Sequence, residues 1–409
     1  MSAGQTGAAG DEGMAIFPHL ASARMDRLPP YLFGSINALK TKLRRAGRDV
    51  IDLGMGNPND PTPGVIVEKL KEAVQDKRNQ RYSVSHGIYN LRREFALFYE
   101  RRLGVALDPE SEVIATLGSK EGFSHLCLAV LGPGDLVVTP TPTFPIHIYG
   151  PVIAGANVIG VSMEGSEEDL LERIASICMS VSPRPKVVIL NFPHNPTART
   201  IEYGFFEEAV KLARRFGFYI IHDYAYGLTT YDGYRAPSIL QVPGAKDLAA
   251  ETFTMSKGYN MAGWRIGFTA GKKEMIRLLA DIKGYYDYGV FQAVQIATVI
   301  ALRNCDDEIE KQAALYARRR DSLCEGLTRS GWSVVPPRAT MFVWAQIPER
   351  YRALGSVEFA TRCLNEADVA LAPGRGFGEE GEGFVRIALV ENEERLKQAV
   401  RQMRRAFPV

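Results

Sequence analysis

Residues 186–224 read "KVVILNFPHNPTARTIEYGFFEEAVKLARRFGFYIIHDY". An apolar run, "KVVILNF" (186–192), precedes an amphipathic stretch, "GFFEEAVKLARRFG" (204–217), and a second apolar run, "FYIIHDY" (218–224), follows. Runs this continuous predict strands covered on both faces, and a helix between two of them predicts parallel pairing. The rhythm extends both ways. "EVIAT" (112–116), "DLVVTP" (135–140) and "NVIGV" (157–161) lie upstream; "ETFTMS" (251–256) and "RIGFTAG" (265–271) lie downstream. Helical patterns such as "EGFSHLCLAVL" (121–131) separate several of them. The expected fold is α/β, with a large domain built on a mainly parallel sheet flanked by helices.

The pattern changes after about residue 290. Residues 292–331 read as one long helical stretch, and "SVVPPRATMFVWAQIP" (333–348) and "GFVRIALV" (383–390) read as a strand-rich tail. This predicts a smaller α+β domain. An N-terminal arm, "RLPPYLFGSINALKTKLRRAGRD" (27–49), has Ile36, Leu39 and Leu43 at helical spacing and is expected to pack with that tail. "VIDLGMGNPNDPTP" (50–63) reads as a short strand ending in a loop. The expected limits are a flexible tail at 1–20, an arm and part of the small domain at 21–60, a large domain at 61–305 and a small domain at 306–409.

Composition narrows the function classes. The 409 residues are 46% hydrophobic and 23% charged, with a net charge of +2. Mixed charge of this kind predicts no nucleic-acid footprint. Five cysteines, with no C-x-x-C, predict reduced thiols in a cytoplasmic protein. "VQIATVIAL" (294–302) falls well short of the ~18 apolar residues of a membrane span. The first residues lack a basic region followed by an apolar core, so no secretory signal is expected.

Ligands of open α/β sheets bind at the carboxyl ends of the strands. After "EVIATL" comes "GSKEG" (118–122), a turn into a helix N-terminus that offers N–H groups to an anion. Taken alone, Ser119 reads equally as an ordinary N-cap. Asn195 in "PHNPT" reads equally as a turn residue. Asp223, at the end of an apolar strand, is costly to bury without an N–H⁺ partner. Tyr226, three residues on, can reach the same ligand or simply pack. In "TMSKGYNMAGWRIG" (254–267), the hydroxyls of Thr254 and Ser256 with the fork of Arg265 suit a phosphate. Lys257 among them is expected to have a lowered pKa and a free amine for carbonyl condensation. Each signal is weak; their order and spacing make the case.

That order resembles the fold-type I pyridoxal-phosphate aminotransferases of class I/II, over nearly the whole chain from about residue 24. "SKGYNMAGWRIGF", "GSKEG", "PIHIYG", "HDYAY", "YDGYRAPSI", "MFVWAQIP" and "FVRIALVEN" together look similar to bacterial glutamate–pyruvate (alanine) aminotransferases. The resemblance implies pyridoxal 5′-phosphate as cofactor, held covalently by Lys257. It implies Asp223 on the pyridine nitrogen, Asn195 and Tyr226 on the ring 3′-oxygen, and Phe144 of "TPTFP" stacked on the ring, where many relatives have Tyr or Trp. It places the phosphate on Ser119, the Lys120 backbone, Thr254 or Ser256, and Arg265. Tyr82 of "QRYSVSHG" matches a tyrosine that reaches the phosphate from a neighbouring subunit, which implies a homodimer with shared sites. Arg386 matches the arginine that grips the substrate carboxylate, Gly56 of "GMGNP" lets the backbone approach it, and Tyr31 of "PYLF" resembles an aromatic that covers the substrate.

The implied reaction moves an amino group between an L-amino acid and a 2-oxo acid by a ping-pong route, with alanine/pyruvate and glutamate/2-oxoglutarate as expected pairs. "YYDYGVFQ" (285–292) lacks the arginine of dicarboxylate-selective relatives, which argues against an aspartate specialist. LL-diaminopimelate aminotransferases share the "YLF" arm but differ where Tyr288 stands here. LL-diaminopimelate or other broad-specificity transamination is the alternative, and so is a C–S lyase or cyclopropane-forming synthase on the same fold. A cofactor-binding regulator is disfavoured, because the catalytic set is complete and a DNA-binding extension is missing.

Overall fold

The computed structural model describes residues 19–30 and 32–409. Tyr31 and residues 1–18 of the expected tail lie outside the described residues. The strands in chain order are β1 (Ile51–Asp52), β2 (Val113–Thr116), β3 (Leu136–Thr141), β4 (Asn157–Ser162), β5 (Val187–Asn191), β6 (Tyr219–Asp223), β7 (Ala249–Thr254), β8 (Gly267–Gly271), β9 (Phe342–Gln346), β10 (Val369–Ala370), β11 (Ala372–Pro373) and β12 (Phe384–Ala388).

Seven strands form the large sheet in the order β2-β8-β7-β6-β5-β3-β4. β8 runs antiparallel to both neighbours, and the other pairs are parallel. Successive strand residues face opposite sides, so a continuous apolar run feeds two cores. Val188 and Leu190 enter one core with Phe95, Phe206 and Phe268. Val187 and Ile189 enter the other with Phe123, Met275 and Leu279. The helix Tyr203–Phe216 buries Phe205, Phe206, Ala209, Val210 and Ala213, a single stripe at helical spacing.

The smaller unit holds an antiparallel sheet in the order β11-β12-β9, and β1 pairs in parallel with β10. Ile51 and Leu53 join its core beside Val343, Phe359 and Ile387, so the N-terminal arm and the C-terminal part share one core. Two local expectations change. The long helical stretch is two helices, Gln292–Asn304 and Asp306–Arg329, with the break at Cys305. "ETFTMS" ends as a strand at Thr254, whose side chain accepts from Ser256 N–H and starts the short helix Met255–Gly258.

Candidate active site

The carboxyl ends of β5, β6 and β7 open on one cavity of 660 Å³ that reaches the smaller unit. Asn195, Asp223, Tyr226, Thr254, Ser256, Lys257 and Arg265 line it, with Ser119, Lys120 and Phe144 from the large unit and Gly56 and Arg386 from the other side. Twelve of the fourteen residues singled out in the sequence thus meet in one space. Tyr82 does not: it is 85% exposed and packs on Tyr288, ring centroids 4.7 Å apart. The fourteenth, Tyr31, is outside the described residues.

Lys257 stands at the centre. Its Nζ donates to Gly56 O at 2.7 Å. Desolvation, with the positive charges of Arg386 and Arg265, lowers its pKa to about 7. A substantial fraction of the amine is therefore uncharged at neutral pH.

Asp223 is held from three directions. His147 Nε2 lies 3.0 Å from its Oδ2, while the Thr252 hydroxyl and the Ala225 N–H donate to its Oδ1. Thr143 Oγ1 in turn meets His147 Nδ1 at 2.8 Å. His147 was present in the quoted "PIHIYG" but drew no role from the sequence. The signal was the cost of burying Asp223, which calls for an N–H partner; the distance along the chain hid which one. Asn191 was missed as well. It donates to Asp223 O at 2.8 Å and accepts from Asn195 N–H at 2.9 Å, so one amide braces the backbone of both residues. Burial pushes the Tyr226 phenol up, keeping it protonated.

Opposite Lys257, the Arg386 guanidinium lies between two rings, with Cζ 4.0 Å from the Phe342 centroid and 4.7 Å from that of Phe377. It donates to Asn195 Oδ1 at 2.7 Å and to Gly54 O at 3.0 Å. A Cβ on Gly56 would lie 2.5 Å from Phe342 Cζ, so a side chain here would push on the ring that clamps Arg386. Sequence patterns do not reveal this aromatic clamp, because Phe342 and Phe377 look like core residues.

The donor set fits the phosphate of pyridoxal 5′-phosphate. The helix Ser119–Val130 points its N-terminus into the cavity. The hydroxyls of Thr254 and Ser256 lie 2.9 Å apart beside it. Gly118, at φ 83°, leaves room for Arg265: a Cβ there would sit 2.5 Å from the guanidinium. A Cβ on Gly267 would sit 2.6 Å from Ser119 N. Arg265 itself has φ 53°, a left-handed conformation rare outside glycine, at the turn into β8.

Residues 48–403 match the model of aminotransferase class I and II. The chain belongs to that family. It is 50% identical over 391 residues to the glutamate-pyruvate aminotransferase AlaC of Escherichia coli, covering 95% of this chain and 94% of that one. It is 43% identical over 378 residues to the LL-diaminopimelate aminotransferase of Nitratidesulfovibrio vulgaris (strain Hildenborough), covering 92% and 96%. Substrate-bound BacF from Bacillus subtilis superposes with a TM-score of 0.88 at 30% identity, covering 95% and 98%. The chain is a fold-type I aminotransferase that uses pyridoxal 5′-phosphate and acts on the amino acid and 2-oxo acid class of substrate. Among the described residues no helix is long and apolar enough to cross a membrane.

Proposed function

We propose that this enzyme is a broad-specificity amino acid aminotransferase that works on alanine/pyruvate and glutamate/2-oxoglutarate. The observation that carries this reading is the pairing, in one cavity, of an amine with a pKa of about 7, Lys257, and a clamped guanidinium, Arg386. A dedicated alanine enzyme is the narrower reading, and the relatives speak against narrowing that far: glutamate-pyruvate and LL-diaminopimelate aminotransferases both match along nearly the whole chain. LL-diaminopimelate is therefore the second reading. Arg44, Asp52, Lys120 and Glu391 line the same cavity and supply both signs of charge for a larger polar side chain.

When bound, pyridoxal 5′-phosphate supplies a carbonyl that exchanges amino groups and a ring that accepts electrons. Lys257 would hold that carbonyl and, as a free amine, would serve as general base for the substrate Cα proton. Asp223, steadied by His147, is assigned to the ring nitrogen; Asn195 and Tyr226 to the 3′-oxygen; Phe144 to the ring face. Ser119, the Lys120 backbone, Thr254, Ser256 and Arg265 would hold the phosphate. Arg386 grips the substrate carboxylate beside Gly56 and so orients the Cα–H bond. Tyr82, exposed and not part of its own cavity's lining, is assigned to the phosphate of a partner copy, which makes the working unit a homodimer. The domain limits at 21–60, 61–305 and 306–409 belong to the same reading, and five free cysteines support a cytoplasmic location.

Mixing the loaded enzyme with L-alanine alone is expected to release pyruvate in a single turnover. Release of ammonia instead would mark a C–S lyase-type enzyme. Rates across alanine, glutamate, aspartate and LL-diaminopimelate then separate the two substrate readings, and confinement to LL-diaminopimelate would overturn the first.

A further inference from the structure

Lys283 is 0% exposed, on the helix Lys273–Tyr286. Nothing in the reaction uses it. Its Nζ lies 3.0 Å from Glu121 Oε1 and 3.0 Å from Asp287 Oδ2. Glu121, His125 and Asp287 have the types and closeness of metal ligands, but the Lys283 ammonium is the cation the two carboxylates already share.

Each carboxylate continues to a different part of the molecule. Glu121 Oε2 accepts from Leu117 N–H at 2.7 Å, and Leu117 O accepts from the Arg265 guanidinium at 3.3 Å. This fixes the turn from Leu117 to Ser119 on both of its polar faces. Asp287 Oδ1 accepts from Gly289 N–H at 2.6 Å and shapes the loop that presents Tyr288 to Tyr82. The segment around Tyr82 is pinned to the same region by Gln295, which donates to Ser83 Oγ at 2.8 Å.

We propose that Lys283 is a positioning residue: its buried ammonium, shared by Glu121 and Asp287, couples the Leu117–Ser119 phosphate turn to the Tyr82–Tyr288 loop. The inference rests on the assignment of Ser119 and Arg265 to the cofactor phosphate. A buried ion pair of this kind is a poor source of net stability, since burial offsets much of its attraction, but it fixes the geometry of what it touches. Removal of the ammonium leaves Glu121 with His125 Nδ1, 2.5 Å away, and the Leu117 N–H, breaks its link to Asp287 and loosens the turn that cradles the phosphate.

The test is the ratio of affinities for pyridoxal 5′-phosphate and pyridoxal, measured by equilibrium binding to the full-length protein freed of cofactor. In Lys283→Met this ratio is expected to fall about tenfold, through weaker binding of the phosphorylated form alone. Glu121→Gln leaves Lys283 paired with Asp287 and is expected to lower the ratio in the same direction; it decides the matter if Lys283→Met does not fold. Asp287→Asn is expected to lower it less. An unchanged ratio in the folded Lys283→Met protein, or in Glu121→Gln in its place, overturns the proposal. An unchanged ratio in Asp287→Asn removes the loop from the chain of coupling. Arg265→Ala keeps the two levels of inference apart. If it too leaves the ratio unchanged, the assignment of the phosphate site has failed; if it collapses the ratio while Lys283→Met does not, only the role of Lys283 has.

Discussion

Lys257 and Lys283 both stand inside the fold in opposite surroundings. Lys257 faces the cavity, donates to a backbone carbonyl and has two guanidinium groups nearby. Lys283 is fully enclosed, with a carboxylate at 3.0 Å on either side. An amine that must react is kept without an ion-pair partner, so burial and like charge weaken its hold on the proton. An amine that must hold structure is given its counter-charges. The contrast shows that burial alone does not mark a catalytic lysine; the sign of the charge around it does.

The largest expected effect lies on the catalytic side. Lys257→Ala is expected to slow the alanine half-reaction by about 10⁴-fold or more, read by single-turnover absorbance. A loss of the same size in Lys283→Met with saturating cofactor would erase the contrast.

Stability is expected to separate the two lysines by sign. The folded pKa of Lys257 is depressed to about 7, so between that value and the unfolded pKa the unfolded chain binds more protons. Its cost to the cofactor-free fold is full below about pH 7 and fades as pH rises to the unfolded value. Lys257→Met is therefore expected to stabilise the cofactor-free protein at pH 7. Lys283→Met is expected to destabilise it by about 3–5 kcal/mol, because it removes the ammonium that Glu121 and Asp287 share. Urea unfolding of both variants checks the signs, and equal signs would break the comparison.

Arg386→Ala is expected to raise KM for every amino donor and lower kcat/KM about 100-fold, since a clamped, charge-assisted contact is lost. Steady-state kinetics over a donor panel measures this, and a loss confined to one donor would move Arg386 from the carboxylate to the side chain.

The smallest effect is a shift in pH. Capture of the cofactor carbonyl needs the neutral amine, so its rate is expected to rise through about pH 7 and then level. Arg386→Leu removes one of the charges that depress the Lys257 pKa, and the rising limb is expected to move to higher pH. Stopped-flow mixing with pyridoxal 5′-phosphate across pH gives the limb directly; a shift to lower pH would contradict the electrostatic account.

Much of this was readable along the chain. The apolar runs at 112–116, 135–140, 186–192 and 218–224 overlap β2, β3, β5 and β6 closely, because a strand buried on both faces must be apolar throughout, and the run at 157–161 overlaps β4, the edge strand, which is partly exposed. Asn195, Asp223, Lys257 and Arg265 were visible because chemistry restricts them to a few residue types at strand ends. The break at Cys305 was not readable, since the residues on both sides carry helical patterns.

The sequence by itself pointed to a mainly parallel sheet and to the family, and it singled out Lys257, since these depend on local polarity and on motifs whose order survives in one dimension. Only the tertiary structure decided which histidine braces Asp223, which rings clamp Arg386 and which carboxylates share Lys283. Some of those partners are near in the chain, such as Asp287 for Lys283 and Phe377 for Arg386, but His147, Phe342 and Glu121 lie 76, 44 and 162 residues from the groups they meet. A buried charge states that it needs a partner, but only packing selects which one, because desolvation sets the need and geometry meets it.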